Sequence, residues 1–336
     1  MMLRHLRRAG WILGFVVLGL TLAVVTLRIL AAARERLSAP DAAPRSGRYV
    51  RAGDAEMFVQ EEGPADGPAV LLIHGTGAWS EIWRGTMRSL AGTGYRAIAL
   101  DMPPFGYTMV KKGASFSDEA QAQRIRGALD ALHLERVTFV GHSFGARATM
   151  QATFLSPSRV AGLVLVDSAL GLQAVPAEPS LLLRSVLGVG WLRDAIVAST
   201  VTNPWMTRRL LALLVAEEAA VTPERVAMLQ QPLVVAGTTE RVGEWLLPFA
   251  TTSESTMAND RSRYPGLTVP TLVLWGAQDT VTPVDQGRDI VSLIPGAAWV
   301  ELPRSGHIPA IEDPSAFDAA LVKFLKERVR ASTDRR

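Results

Sequence analysis

Ser143, Asp279 and His307 are the residues from which a chemical reading of this 336-residue chain can be built. A serine hydroxyl is a weak nucleophile until a base takes its proton, and an imidazole base needs an anionic partner to fix its tautomer and stabilise the imidazolium. Ser143 stands in Gly141-His142-Ser143-Phe144-Gly145, where an apolar, β-rich run over 137–140 gives way to helix-forming sequence. The Gly-x-Ser-x-Gly spacing fits a nucleophile elbow, a strained strand-to-helix turn whose small neighbours let the hydroxyl stand clear. That turn also aims the N–H of Phe144 at an oxyanion formed beside Ser143. A second N–H donor is expected from the turn His74-Gly75-Thr76-Gly77, from Thr76 with Gly77 as the alternative.

His307 is the expected base because it follows the last strand-like segment in Arg304-Ser305-Gly306-His307, on a loop that can hang over a sheet edge. Asp279 closes Trp275-Gly276-Ala277-Gln278-Asp279 at the end of the preceding strand and is the expected acid; Asp167, also at a strand end, is the runner-up. Of the other histidines, His5 lies in the terminal segment, His133 on a helix end, and His74 and His142 in glycine-flanked turns that suit structural roles. The chain has no cysteine, which excludes disulfides, thiolate metal sites and a cysteine nucleophile.

The elements that must hold these residues follow an alternating pattern. A hairpin is predicted around Arg48-Tyr49-Val50 and Met57-Phe58-Val59, separated by Gly53-Asp54. Continuous apolar runs at 69–73, 96–100, 137–140 and 162–166 suit parallel strands covered on both faces, with helices between them near 82–90, 118–132 and 144–155. The alternation stops after Asp167 for about a hundred residues, too long and too apolar for a plain loop. Apolar helical stretches at 181–187, 191–197, 205–215 and 244–249 predict an inserted helical cap over Ser143. Sheet sequence returns at 271–275 and 299–302, with a helix near 284–293 and a last helix opening at Asp313-Pro314 and running to about 329. The predicted fold class is α/β, a mostly parallel, doubly wound sheet with an inserted helical cap.

At the N-terminus, residues 9–27 carry no charge and follow Arg4, Arg7 and Arg8. At 1.5 Å per residue this run rises about 28 Å, close to the roughly 30 Å hydrocarbon core of a bilayer. A single transmembrane helix, an uncleaved signal anchor, is expected, with the preceding arginines in the cytoplasm and the body of the chain outside it. A cleavable signal peptide is the competing reading, since Ala31-x-Ala33 resembles a small-residue cleavage site, but its apolar core is usually only about 7–15 residues. The formal net charge of +3 sits at the ends: residues 1–36 hold six arginines against one glutamate, and 321–336 six basic against two acidic residues. The body between them is acidic, which disfavours a nucleic-acid partner. The expected division is a cytoplasmic stretch 1–8, a transmembrane helix 9–33, a juxtamembrane linker 34–46, a core in two parts, 47–168 and 263–331, around a cap 169–262, and a basic tail 332–336.

Together, His74-Gly75-Thr76-Gly77, Asp101-Met102-Pro103-Pro104-Phe105-Gly106, the Ser143 elbow, Trp275-Gly276-x-x-Asp279 and Gly306-His307 followed by Glu312-Asp313-Pro314 resemble the α/β-hydrolase superfamily over about 47–330. The likeness is to the branch containing bacterial esterases, meta-cleavage carbon–carbon hydrolases, perhydrolases and haloalkane dehalogenases. The resemblance implies Ser143 as nucleophile, His307 as base, Asp279 as acid, and Thr76 with Phe144 as oxyanion donors, without metal or organic cofactor. Dehalogenases and epoxide hydrolases of this fold carry aspartate at the elbow, so Ser143 points away from alkyl halides and epoxides. The expected activity is hydrolysis of a small ester of apolar or amphiphilic character through an acyl-enzyme. The alternatives are a carbon–carbon hydrolase of dienoic diketo acids, for which Arg147 is the candidate basic residue, and a non-catalytic binding protein.

Overall fold

The apolar runs 69–73 and 137–140 lie side by side at the centre of a nine-stranded sheet in the computed structural model, which describes residues 2–172, 181–251 and 256–330. Its strands are β1 (Gly47–Ala52), β2 (Ala55–Glu62), β3 (Ala69–Ile73), β4 (Arg96–Leu100), β5 (Met109–Val110), β6 (Val137–His142), β7 (Val160–Val166), β8 (Thr271–Gly276) and β9 (Ala298–Leu302). The order is β1-β2-β4-β3-β6-β7-β8-β9, with β5 on β2. From β4 to β9 the pairing is parallel, and β1 and β2 add an antiparallel hairpin turned at Gly53, whose φ of 63° glycine adopts without strain. Both faces of the central strands are covered, which explains their unbroken apolar sequence. Leu71 and Ile73 face a cluster containing Ile125, Leu129 and Met150. Val70 and Leu72 face Met87, Leu90 and Phe317 on the other side.

The register places the candidate residues on one edge. Ile73 pairs with Gly141 and His142 with Val166, so the turn after β3, the Ser143 elbow and Asp167 all leave the sheet at its carboxyl end. Open parallel sheets bind ligands outside that end.

Between β7 and β8 the described residues form the helices Leu181–Gly188, Gly190–Ser199, Pro204–Ala212, Pro223–Gln230 and Thr238–Thr251. The expected helix over 205–215 stops at Ala212, and that over 244–249 is the end of a longer one. Pro223–Gln230 was not expected, although Thr222 caps it by accepting from the Arg225 N–H and Pro223 occupies its first turn. Trp245 and Val242 of the cap pack on Phe105 and Phe144 of the core, so cap and elbow share one apolar cluster.

The N-terminal helix runs Met2–Arg34, and Gly14–Arg34 is long and apolar enough to cross a membrane. The stretch 34–46, expected as a linker, is instead docked: Leu37 forms a β-bridge with Val235, residues 39–42 make a short helix, and Ala39 is buried. Its Ala, Pro and Ser content reads as a free loop, but small residues also permit close approach to another surface. The tail 332–336 lies outside the described residues.

Candidate active site

β6 is buried along its whole length and ends at His142, so the chain must turn sharply to enter the helix Phe144–Leu155. Ser143 takes up that turn at φ 50° and ψ −122°, a strained conformation for a residue with a side chain. Its N–H donates to the Val166 carbonyl at 3.0 Å, which ties the elbow to β7. The flanking glycines are required by contact. A Cβ at Gly145 would lie 2.4 Å from the His74 carbonyl oxygen, and one at Gly141 would lie 2.6 Å from Thr149 Oγ1.

Three of the expected site residues meet in a chain of hydrogen bonds. His307 Nε2 lies 2.8 Å from Ser143 Oγ, and His307 Nδ1 lies 2.8 Å from Asp279 Oδ2. With the carboxylate accepting at Nδ1, the ring carries its proton there and Nε2 is free to accept from the serine. Asp279 also accepts from the Val281 and Thr282 N–H groups at 2.7 and 3.0 Å and from the Thr282 hydroxyl. Burial alone would push its carboxyl up, but the bonds and charge of His307 and the donors of Thr282 outweigh it and hold Asp279 below the usual carboxylate range.

Asp167, the runner-up acid, is fully buried beside this pair and makes no bond to His307. Its Oδ1 accepts from the Gly276 N–H at 2.9 Å, while Oδ2 has no partner. Burial first, and the neighbouring Asp279 charge second, push its carboxyl well above the normal range. Asp167, Asp279 and His307 are also the described group whose ligand atoms, all within 4.8 Å of one another, could hold a metal ion. Asp279 and His307 are already engaged with each other there.

Thr76 and Phe144 both line the cavity at Ser143, and among the described residues neither N–H has a protein acceptor. Gly77, the alternative donor, lines it too. The two turn histidines are structural in detail. Burial lowers His74 to about 4; its Nδ1–H donates to the Gly75 carbonyl while Nε2 accepts from the Met102 N–H. Burial, then the His307 charge, lowers His142 to about 3, and its Nε2–H donates to the His307 carbonyl at 2.7 Å.

One carboxylate escaped sequence reasoning. Glu312 accepts from the N–H groups of Gly306, Ile308 and Ala216 at 2.9, 2.9 and 2.6 Å, and the His307 N–H donates to the Leu214 carbonyl. The loop bearing His307 is therefore clamped between the last core helices and the end of a cap helix. The signal was present in Glu312-Asp313-Pro314, but nothing local shows where that carboxylate points. Glu312→Ala leaves three N–H groups unpaired. We expect it to lower turnover about 10²-fold through misplacement of His307, measured as kcat on an ester substrate, with the Ser143 environment otherwise intact.

Above these residues lies a cavity of about 410 Å³, bounded by the β3 turn, the elbow and the cap. Its lining is Leu-, Val- and Phe-rich, its polar members are Thr76, Thr202, Thr207, Thr238, His142, Ser143 and His307, and among the described residues no Lys, Arg, Asp or Glu side chain lines it. Arg147 is not part of it. That guanidinium pairs with Asp118 at 2.7 Å and borders a separate, smaller hollow with Phe116 and Trp245.

Residues 68–314 match the family described as the alpha/beta hydrolase fold. The chain belongs to that family. Among α/β-hydrolases it is 27% identical over 281 residues to a 2-hydroxy-6-oxononadienedioate/2-hydroxy-6-oxononatrienedioate hydrolase of Cupriavidus pinatubonensis, covering 82% of this chain and 93% of the relative. Its fold is similar to a thermophilic esterase from Thermogutta terrifontis, with a TM-score of 0.65 and 24% identity over 85% of this chain and 99% of that one. It is also similar to a membrane phospholipase A described as a bacterial virulence factor, with a TM-score of 0.67 and 24% identity over 95% of this chain and 98% of that one. These likenesses support hydrolase activity for this α/β-hydrolase.

Proposed function

We propose that this α/β-hydrolase cleaves carboxylic esters of apolar or amphiphilic character through an acyl-enzyme. Ser143 Oγ attacks the ester carbonyl as His307 Nε2 takes its proton, Asp279 stabilises the imidazolium, and the N–H groups of Phe144 and Thr76 receive the oxyanion. The alcohol then leaves with the proton held by His307. Water attacks the acyl-serine with His307 again as base, and the carboxylic acid departs.

The observation that carries the ester reading is the cavity lining. A dienedioate brings carboxylates that need cationic partners once water is excluded, and among the described residues no charged side chain borders the space over Ser143. Arg147, the one basic residue the carbon–carbon reading could use, is turned toward Asp118. An apolar acyl chain fits that lining without an unpaired charge.

The same reading makes Met2–Arg34 an uncleaved anchor with the catalytic body beyond the membrane. Supporting it, Ala31 is buried and the helix packs on the cap helix Gly190–Ser199, a contact that cleavage after Ala33 would remove.

The test is a p-nitrophenyl ester series from acetate to dodecanoate, with the full-length chain in detergent, beside Arg147→Ala. Turnover rising beyond acetate, and changed by no more than about twofold in Arg147→Ala, whose guanidinium pairs with Asp118 outside the cavity, supports the ester reading. No ester turnover, together with cleavage of a dienoic diketo acid that Arg147→Ala abolishes, would replace it with the carbon–carbon reading.

A further inference from the structure

The N-terminal helix does not stand away from the catalytic body. Its last turns pack on the cap helix Gly190–Ser199, and the positions withdrawn from solvent, Val24, Leu27, Arg28 and Ala31, recur at helical spacing along one side. Beyond it, Arg34 Nε donates to the Leu233 carbonyl at 2.9 Å, and Leu37 exchanges backbone bonds with Val234 and Ala236 at 3.1 and 2.8 Å. The Glu35 carboxylate accepts from the Thr239 N–H and hydroxyl. Leu233 and Thr238 line the cavity over Ser143. One face of a wall segment thus touches the substrate space and the other holds the end of the helix.

This packing fixes a depth. From Val24 to Ala31 the helix rises about 10 Å at 1.5 Å per residue, and both lie within the apolar stretch Gly14–Arg34. If that stretch occupies a bilayer, the cap helix beside it lies at the level of the headgroups and upper acyl chains. The cap carries large apolar side chains there that a water-facing surface does not need. Leu181 is 82% exposed and Trp191 69%, with Leu183 and Val189 exposed between them. Tryptophan beside aliphatic residues suits the membrane–water boundary. Phe249, on a helix that packs against both of these cap helices, is exposed and also lines the cavity.

We propose that the cap edge bearing Leu181, Leu183, Val189 and Trp191 seats in the bilayer, and that the cavity receives an acyl ester of a membrane lipid directly from that leaflet. The inference rests on the ester reading and on Met2–Arg34 as the anchor. It adds where the substrate comes from and what the exposed face touches. The acyl C–O bond breaks at Ser143, the lipid alcohol returns to the membrane carrying the proton from His307, and water supplies the hydroxyl of the fatty acid.

Because the chain has no cysteine, single cysteines carry a unique fluorescent label. Full-length protein labelled at Phe15→Cys, Trp191→Cys or Asp66→Cys is reconstituted in phosphatidylcholine vesicles containing spin-labelled lipid. Quenching at 15 and 191, and none at 66, is the expected result. Quenching at 15 without quenching at 191 overturns the seating while leaving the anchor reading standing; quenching at neither position overturns both. Activity tests delivery, with 4-methylumbelliferyl oleate dissolved in the vesicles and soluble 4-methylumbelliferyl acetate as substrates. Leu183→Glu combined with Trp191→Glu should lower turnover of the oleate about tenfold or more and leave the acetate within about twofold. An equal effect on both esters overturns delivery from the membrane, and an inactive wild type on both overturns the ester reading itself.

Discussion

Ser143→Ala and His307→Ala each lower kcat on a p-nitrophenyl ester by about 10⁵-fold, and the double variant loses little more than either alone. The expectation follows from the 2.8 Å contact between His307 Nε2 and Ser143 Oγ, which makes the two act as one unit. Remove the hydroxyl and the base has nothing to activate; remove the base and the hydroxyl keeps its proton. Binding should survive, because the apolar lining is untouched, so KM changes far less than kcat. A serine-directed fluorophosphonate offers a second readout. It labels wild type and fails on Ser143→Ala, and equal labelling of both would falsify the nucleophile assignment.

Asp279→Asn is the second large effect, a loss of about 10⁴-fold in kcat with the fold retained. An amide at 279 can present its NH₂ to His307 Nδ1, which puts the ring proton on Nε2, where it must not be when serine is to be activated. Asp167 sits close enough to raise the question of rescue, and the structure argues against it. Burial is the larger cause of its raised pKa and persists in the variant, while a smaller cause, the Asp279 charge, is removed. Asp167→Asn is accordingly expected to keep kcat within about tenfold of wild type. If the two variants exchanged these outcomes, the acid would be Asp167.

Ser143, His307 and Asp279 were legible in the sequence because each announces itself locally: a glycine-flanked turn, a loop after a strand, a strand end. The parallel order of β6, β7, β8 and β9 then brings them to one edge, as alternating strands and helices imply. Glu312 was not legible in the same way. Its partners Gly306, Ile308 and Ala216 come from a nearby loop and from a cap segment about a hundred residues earlier, and no spacing rule connects them. The docking of 34–37 on the cap was hidden for a related reason. A single β-bridge to Val235 leaves no periodicity in either strand, so composition alone suggested a linker. Arg147 was visible as a cation one turn after the nucleophile, but its direction is set by Asp118, which only the tertiary structure supplies. Local turn chemistry thus pointed to the three groups that the structure brings together, whereas the carboxylates that hold other groups in place depend on long-range contacts.

The backbone bond from His307 to Leu214, and the Glu312 carboxylate shared between Ala216 and the loop of the base, link two events that a lidded enzyme must keep in order. Residues 214–216 continue from the helix Pro204–Ala212, whose Leu210 and Leu211 form part of the cavity ceiling. Were that ceiling lifted, the loop of His307 would give up its contacts to Leu214 and Ala216 and keep those to Asp279 and, through Gly306 and Ile308, to Glu312. Cap position and base position are thereby coupled: a shift of the roof loosens part of the loop that carries the imidazole, and its return restores the contacts that steady it.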